Sequence, residues 1–304
     1  MDLFSIAGNL ELGLILGIMA LGVYISFRLL DFPDLTVDGS FPLGACVAAV
    51  CINHGCDPVL ATLFAVCGGI VAGLITALLH VYCGVLPLLA SIITMTGLYS
   101  VNLRITGTPN VSLMGQKTLM TELAQYIPKL PPYWVTVVLC LAACFGVIIA
   151  LSFLWSTDFG LSILATGENP QMSGAMGINT RQTIMIGMAL SNGMIALSGA
   201  LYSQAQQNAN VGMGTGMIIG GLIAVVVGES IFKGSYSMIT RMISIVFASI
   251  LFRFVVGFAL SLDTGDSFWS LRSSDLNLVT ASIVAGFLIW PKIKQLPILR
   301  RRII

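Results

Sequence analysis

Long apolar runs separated by short polar breaks organise this chain from end to end. Runs free or nearly free of fixed charge fall at Leu12–Phe27, Phe41–Ile52, Val59–Cys83, Leu86–Leu103, Val135–Trp155, Thr183–Leu201, Met217–Phe232, Met242–Leu262 and Leu276–Trp290. A helix needs about 20 such residues to cross a bilayer. The pattern therefore predicts an all-α, polytopic membrane bundle of about nine spans, a single transmembrane domain over residues 1–304. Two runs are short. The second carries Gly44 and follows Phe41-Pro42, and the seventh is framed by Gly212, Gly214, Gly216 and Lys233-Gly234. Short or interrupted spans of this kind line the pathway in transporters.

The polar breaks are unequal. The island Ser156–Arg181, STDFGLSILATGENPQMSGAMGINTR, is longer than a turn between spans requires, which predicts an ordered loop on which something docks. The connection 106–133 carries Pro109, Pro128, Pro131 and Pro132, with a short surface helix expected over Leu119–Ile127; Asp263–Asp275 forms another loop. Gly212-x-Gly214-x-Gly216 has no strand before it and reads as a flexible lead back into the membrane. In the third run Ala61, Ala65, Gly69, Gly73 and Ala77 recur every four residues, a small-residue face that predicts close helix packing within the chain.

Composition agrees with the membrane reading. Hydrophobic residues make up 57% and charged residues 9%, the mean hydropathy is +0.96, and soluble domains carry roughly 25% charged residues. A net charge of +1 gives no basic surface for nucleic acid. Lys292, Lys294, Arg300, Arg301 and Arg302 predict a cytoplasmic C-terminus by the positive-inside rule, and counting back places Arg28, Arg181, Lys233, Arg241 and the island inside too. Arg104, Lys117, Lys129 and Arg272 then lie outside, as does the N-terminus, whose first apolar run lacks a basic leader and is expected to be a retained span.

Candidate chemistry is sparse. No GxxxxGK[ST] occurs, so no phosphate-cradling loop belongs to this chain, and no Ser-His-Asp or Cys-His arrangement suggests hydrolysis. Cys51, His54 and Cys56 lie close together without a fourth metal ligand, and the seven cysteines read as small hydrophobes in or beside apolar runs. The 14 methionines, Met172 and Met176 among them, read as packing. Arg253 sits about ten residues inside a span, where a charge costs about 2.5–3.5 kcal/mol on insertion scales. It is expected to face a cavity, a partner or the interface. Glu229 is expected to pair with Arg241 or Lys233. Ser191 and Asn192 are the polar candidates for lining a pathway.

With these residues in place, a resemblance becomes specific. Ala165-Thr166-Gly167-Glu168-Asn169-Pro170, followed by Gly177-Ile178, is similar to the cytoplasmic loop of permeases in the ribose and branched-chain amino-acid ABC importer family. Asp34-Leu35-Thr36-Val37-Asp38-Gly39-Ser40 resembles that family's polar lead-in to its second span, and Gly216 through Gly234 resembles its short late span. The wording of the first lead-in is most like a subgroup paired with amino-acid or uncharacterised binding proteins. The resemblance implies a multi-pass prokaryotic plasma-membrane permease and a second permease copy, with no cofactor on this chain. It implies ABC ATPase subunits holding ATP and Mg, an extracytoplasmic binding protein, and a coupling helix at the residues quoted. There Thr166, Glu168 and Asn169 are expected to cap a helix start, and Gly167 and Gly177 to allow sharp turns. One departure is Leu164, where the ribose-type pattern has a basic residue. The apolar pathway favours a small amino acid, hydrophobic or aromatic, over a sugar or nucleoside. A self-sufficient channel or secondary carrier is the rival reading.

Overall fold

The computed structural model describes residues 3–126, 131–231 and 237–261. The chain opens with α1 (Leu3–Tyr24), which continues through a π-helical turn at Ile25–Leu29, and is followed by α2 (Val37–Asn53), α3 (Pro58–Val81) and α4 (Pro87–Thr106). A short strand β1 (Asn110–Ser112) and helix α5 (Leu119–Tyr126) precede α6 (Pro132–Trp155), α7 (Asp158–Glu168), α8 (Pro170–Ala175) and α9 (Thr180–Gln206). Strand β2 (Asn208–Asn210), a 3-10 turn at Val211–Gly214, α10 (Met217–Ile231) and α11 (Met238–Ser261) complete the described chain. Among the described residues seven helices are long and apolar enough to cross a membrane, and α2 is shorter. Eight of the nine predicted runs thus coincide with helices; the run 276–290, the loop 263–275 and the basic C-terminal tail lie outside the described residues.

Local chemistry sets where these helices begin and end. Proline stands at the start of α3, α4 and α6, where its missing N–H costs nothing and its fixed φ suits the first turn. Asp57 caps α3 by accepting the Val59 N–H at 2.8 Å. Gly107, at φ 68°, ends α4 in the left-handed conformation that glycine adopts without strain.

Helices α1 and α9 form the buried centre. Helix α9 packs on α3, α2 and α1, while α1 also contacts α11, α6 and α10. The small-residue face of α3 meets α9: a Cβ at Gly69 would fall on the Asn192 carbonyl, and one at Gly73 on that of Met188. The period-four stripe is therefore an intrachain contact, as predicted. Serines stitch the centre, with the Ser191, Ser198 and Ser249 hydroxyls donating to the carbonyls of Gly22, Ile15 and Gly13 at 2.8, 2.6 and 2.8 Å. Outward, α3, α6 and α11 present apolar side chains such as Leu63, Phe64, Phe145, Ile149, Phe247 and Phe258, as helices facing lipid do.

Three features depart from expectation. Strands β1 and β2 pair antiparallel, Val111 opposite Ala209, and tie the 106–133 connection to the turn before α10; three-residue strands leave no readable hydropathy period. Helix α5 forms where expected but is docked, with Met120 buried and the Leu119 N–H donating to Gln204 Oε1 at 3.1 Å. The Gly212–Gly216 stretch is an ordered turn rather than a loose lead: Asn210 Oδ1 accepts the Gly212 N–H at 2.7 Å.

Candidate functional site

The island folds into α7 and α8, joined at Asn169, whose extended backbone breaks the helix between them. Each start is capped from the sequence. Thr157 Oγ1 accepts the Gly160 N–H at 3.3 Å, and Asn169 Oδ1 accepts the Met172 N–H at 3.0 Å. Ser173 folds α8 back on α7 by donating to the Ala165 carbonyl at 2.7 Å. Gly177, at φ 87°, makes the turn that leads through half-buried Ile178 to α9.

Among the predicted capping groups only Asn169 caps. Thr166 is buried inside α7 and donates to the Ser162 carbonyl at 2.7 Å, and Gly167 is helical rather than a turn. Gly167 instead lets α7 touch the end of the first helix, because a Cβ there would fall on the Leu29 carbonyl. Glu168, Asn169 and Pro170 are exposed. Met172 and Met176 are 62% and 75% exposed, so these two methionines do not serve as internal packing. One turn apart, Met172 in α8 and Met176 at its C-cap, they form an apolar pair on a polar surface.

Behind the island lies a polar cleft of about 520 Å³, lined by Arg28, Asp31, Leu164, Gly167, Glu168 and Arg241. Leu164 therefore faces the bundle, not the outer surface of the island. Beside the cleft, Arg28 Nε donates to Glu229 Oε1 at 2.8 Å, joining the π-helical turn to the end of α10. Among the described residues the partner of Glu229 is thus Arg28 rather than Arg241, while Lys233 lies outside them; Arg28 and Glu229 stand 201 positions apart, which concealed the pair from sequence reasoning.

The segment Asp34–Ser40 forms a buried polar junction deeper in the bundle. Backbone leaving a helix inside a membrane protein needs internal hydrogen-bond partners. Asp34 Oδ1 accepts the Thr36 N–H at 2.8 Å, ahead of α2, and its Oδ2 accepts Asn192 Nδ2 at 2.9 Å. Ser40 donates to Asn192 Oδ1 at 2.7 Å, and the hydroxyls of Thr36 and Thr76 lie 3.0 Å apart. Asp38 reaches across to α10: its Oδ2 and Oδ1 accept the N–H groups of Gly216 and Ile218 at 3.0 and 2.9 Å. A carboxylate at a helix N-terminus satisfies orphan donors and opposes the helix dipole. Sequence reasoning quoted both aspartates without giving them roles, although Asp-x-Thr ahead of an apolar run is a helix-start signal.

Ser191 and Asn192 are fully buried, and their hydrogen bonds are made inside the bundle. They hold α9 against α1 and the junction. Arg253 is half-buried in α11, and its Nε has no hydrogen-bond partner among the described residues. Glu11 is a second charge within a span, two turns inside α1; expectation started that run at Leu12 and so left it out.

A second cavity, of about 240 Å³, lies beside the junction, where α2, α4 and the turn before α10 meet. Its wall includes Asp38, Pro42, Thr96, Tyr99, Asn102 and Thr215.

Comparison with known proteins gives this architecture a family. The chain is 38% identical over 275 residues to the tyrosine transport system permease protein of Clostridioides difficile, covering 90% of this chain and 87% of that protein. It is 26% identical to the galactose/methyl galactoside import permease protein of Escherichia coli, over 62% of this chain and 56% of that one. Among solved structures, PsaBC from Streptococcus pneumoniae in complex with Fab aligns with a TM-score of 0.46 and 18% identity, over 91% of this chain and 88% of that one. Residues 5–289 match the family model described as branched-chain amino acid transport system / permease component. A multi-pass membrane bundle matched over nearly its whole length in this way belongs to that family of ABC transporter permeases.

Proposed function

We propose that this permease imports an amino acid, an aromatic one foremost, by ATP-driven alternating access. The likeness to a tyrosine transport permease at 38% identity carries the substrate class; the sugar permease matches less of the chain at lower identity. Energy comes from separate ATPase subunits, which hold ATP and Mg, because the sequence has no phosphate-binding loop of its own. They dock on the island through Met172, Met176 and Glu168, the exposed knob formed by α8 and the end of α7.

The island end is then cytoplasmic, in keeping with Arg28, Arg181 and Arg241 gathered near it, and the β1–β2 end faces an extracytoplasmic binding protein. A second permease copy packs along α4. The exposed face of that helix mixes Thr96, Tyr99 and Ser100 with apolar residues, a poor match to lipid. The island touches the end of α1 at Leu29, so movement imposed by the ATPase reaches the bundle directly. Substrate shifts the two-state equilibrium only through its differential affinity for the states.

The test is tyrosine uptake into proteoliposomes containing the permease, its ATPase and its binding protein. Uptake should require all three components and ATP. Uptake by the permease alone would instead establish a self-sufficient channel or a secondary carrier, the reading that intramembrane Glu11 and Arg253 would serve.

A further inference from the structure

The 240 Å³ cavity between α2, α4 and α10 has a feature that packing does not explain. Asn102, in its wall, is fully buried; its Nδ2 donates to the Gly39 carbonyl at 3.2 Å, and its Oδ1 has no hydrogen-bond partner among the described residues. A buried acceptor left unmade carries the full cost of its desolvation. It is tolerated where a donor arrives from elsewhere, as at a binding site.

The rest of the wall indicates what kind of donor. Among the described residues it holds the Asp38 carboxylate and no Lys, Arg or His, together with the hydroxyls of Thr96, Tyr99 and Thr215. Asp38 accepts two backbone N–H groups, but a carboxylate has about four lone-pair sites, so acceptor capacity remains. One fixed negative charge beside an orphan acceptor favours a cationic donor. The volume equals about eight waters at roughly 30 Å³ each, room for one solute of amino-acid size. The mouth lies along α4, where Thr96 and Tyr99 are exposed on the face proposed above to meet the second permease copy, away from the apolar outer faces of α3, α6 and α11.

We infer that this cavity is a binding station for the ammonium group of an amino acid in transit, a reading that rests on the import function proposed above. The ammonium donates to Asn102 Oδ1 and is balanced by Asp38. The ligand's carboxylate accepts from the hydroxyls of Thr96 and Thr215 once these rotate away from the carbonyls of Ile93 and Gly212, to which they donate at 2.9 and 3.0 Å, and the Tyr99 ring flanks its side chain.

The experiment measures binding of L-tyrosine, tyramine and 3-(4-hydroxyphenyl)propionate to the full-length permease in lipid nanodiscs by saturation-transfer NMR. Tyrosine and tyramine should bind, and the compound lacking the amine should bind at least tenfold more weakly. Asn102→Leu should weaken both amines about tenfold. Thr96→Val, an exposed and nearly isosteric change that does not threaten folding, should weaken tyrosine several-fold and leave tyramine unchanged. Equal binding of the amine-free compound, or tyrosine binding indifferent to both substitutions, overturns the station. Absence of binding while ATP-dependent tyrosine uptake proceeds also overturns it and leaves the import reading standing. Uptake by the permease without ATPase overturns the import reading instead.

Discussion

Asp38 and Ile218 stand 180 positions apart, yet the carboxylate of the first holds the second's backbone N–H at 2.9 Å. With the companion bond from Gly216, one side chain at the start of α2 fixes the start of α10. A hydrogen bond to a charged group contributes about 1.5–3 kcal/mol. Asp38→Asn keeps the shape but loses the charge and one acceptor oxygen, so it should destabilise the permease by about 1–3 kcal/mol. Thermal unfolding in detergent, followed by tryptophan fluorescence, reads this directly. An unchanged midpoint would mean that the two short helices are aligned by other contacts.

The contact between α3 and α9 gives a sharper contrast between two substitutions of one kind. At Gly73 an added methyl would strike the Met188 carbonyl, whereas at Gly146, in α6, it meets nothing within 4 Å. Overpacking a well-filled contact costs about 1–3 kcal/mol. Removing a glycine from a helix interior gains about 0.5–1 kcal/mol. Gly73→Ala should therefore lower the unfolding midpoint and Gly146→Ala leave it equal or higher. The same response at both sites would show that helix propensity, not close approach, decides the effect.

The legible parts of this molecule were those whose physics is local. Apolar runs gave eight helices because burial in lipid needs only length and hydropathy, and the four-residue recurrence from Ala61 to Ala77 already implied a close neighbour. Asn169 and Gly177 were legible for the same reason, since a cap and a left-handed turn are decided within a few residues. Partners distant in sequence were not legible. Nothing near Glu229 points to Arg28, and nothing near Asp38 points to Gly216. Met172 and Met176 misled because methionine is composition-neutral between packing and display; only their exposure separates the two. Glu11 lies where hydropathy sets a soft boundary, because its charge interrupts an apolar run that the helix continues through.

The Arg28–Glu229 pair should matter more for movement than for stability. Its side chains are 62% and 26% exposed, and exposed ion pairs contribute about 0–1 kcal/mol. Arg28→Glu and Glu229→Arg should each move the unfolding free energy by less than about 1 kcal/mol. Each should nonetheless depress ATP-driven uptake, because the pair links the turn beneath the island to α10. The double reversal restores opposite charges and should recover uptake. If it is no better than either single variant, the residues act separately.

The island offers the most direct test of how force enters the bundle. Met172 and Met176 expose most of their surface on α8, and neither contributes to the buried core, so replacing them leaves the fold intact. Interface energy concentrates in a few desolvated anchors, and losing one typically weakens binding by about tenfold or more. Met172→Glu and Met176→Glu should each reduce co-purification of the ATPase about tenfold while leaving the unfolding midpoint unchanged. Glu168→Lys, at the exposed end of α7 where the island's surface meets the rim of the cleft, reverses a charge beside that surface and should act in the same direction. Gly167→Val should behave differently. It drives a side chain into the Leu29 carbonyl and so separates the island from the first helix while sparing the docking surface. ATPase binding should persist and uptake fail, which distinguishes a lost contact from a lost transmission. If Gly167→Val instead abolishes ATPase binding and Met172→Glu does not, the ATPase grips the cleft side of α7, and α8 is a solvated loop.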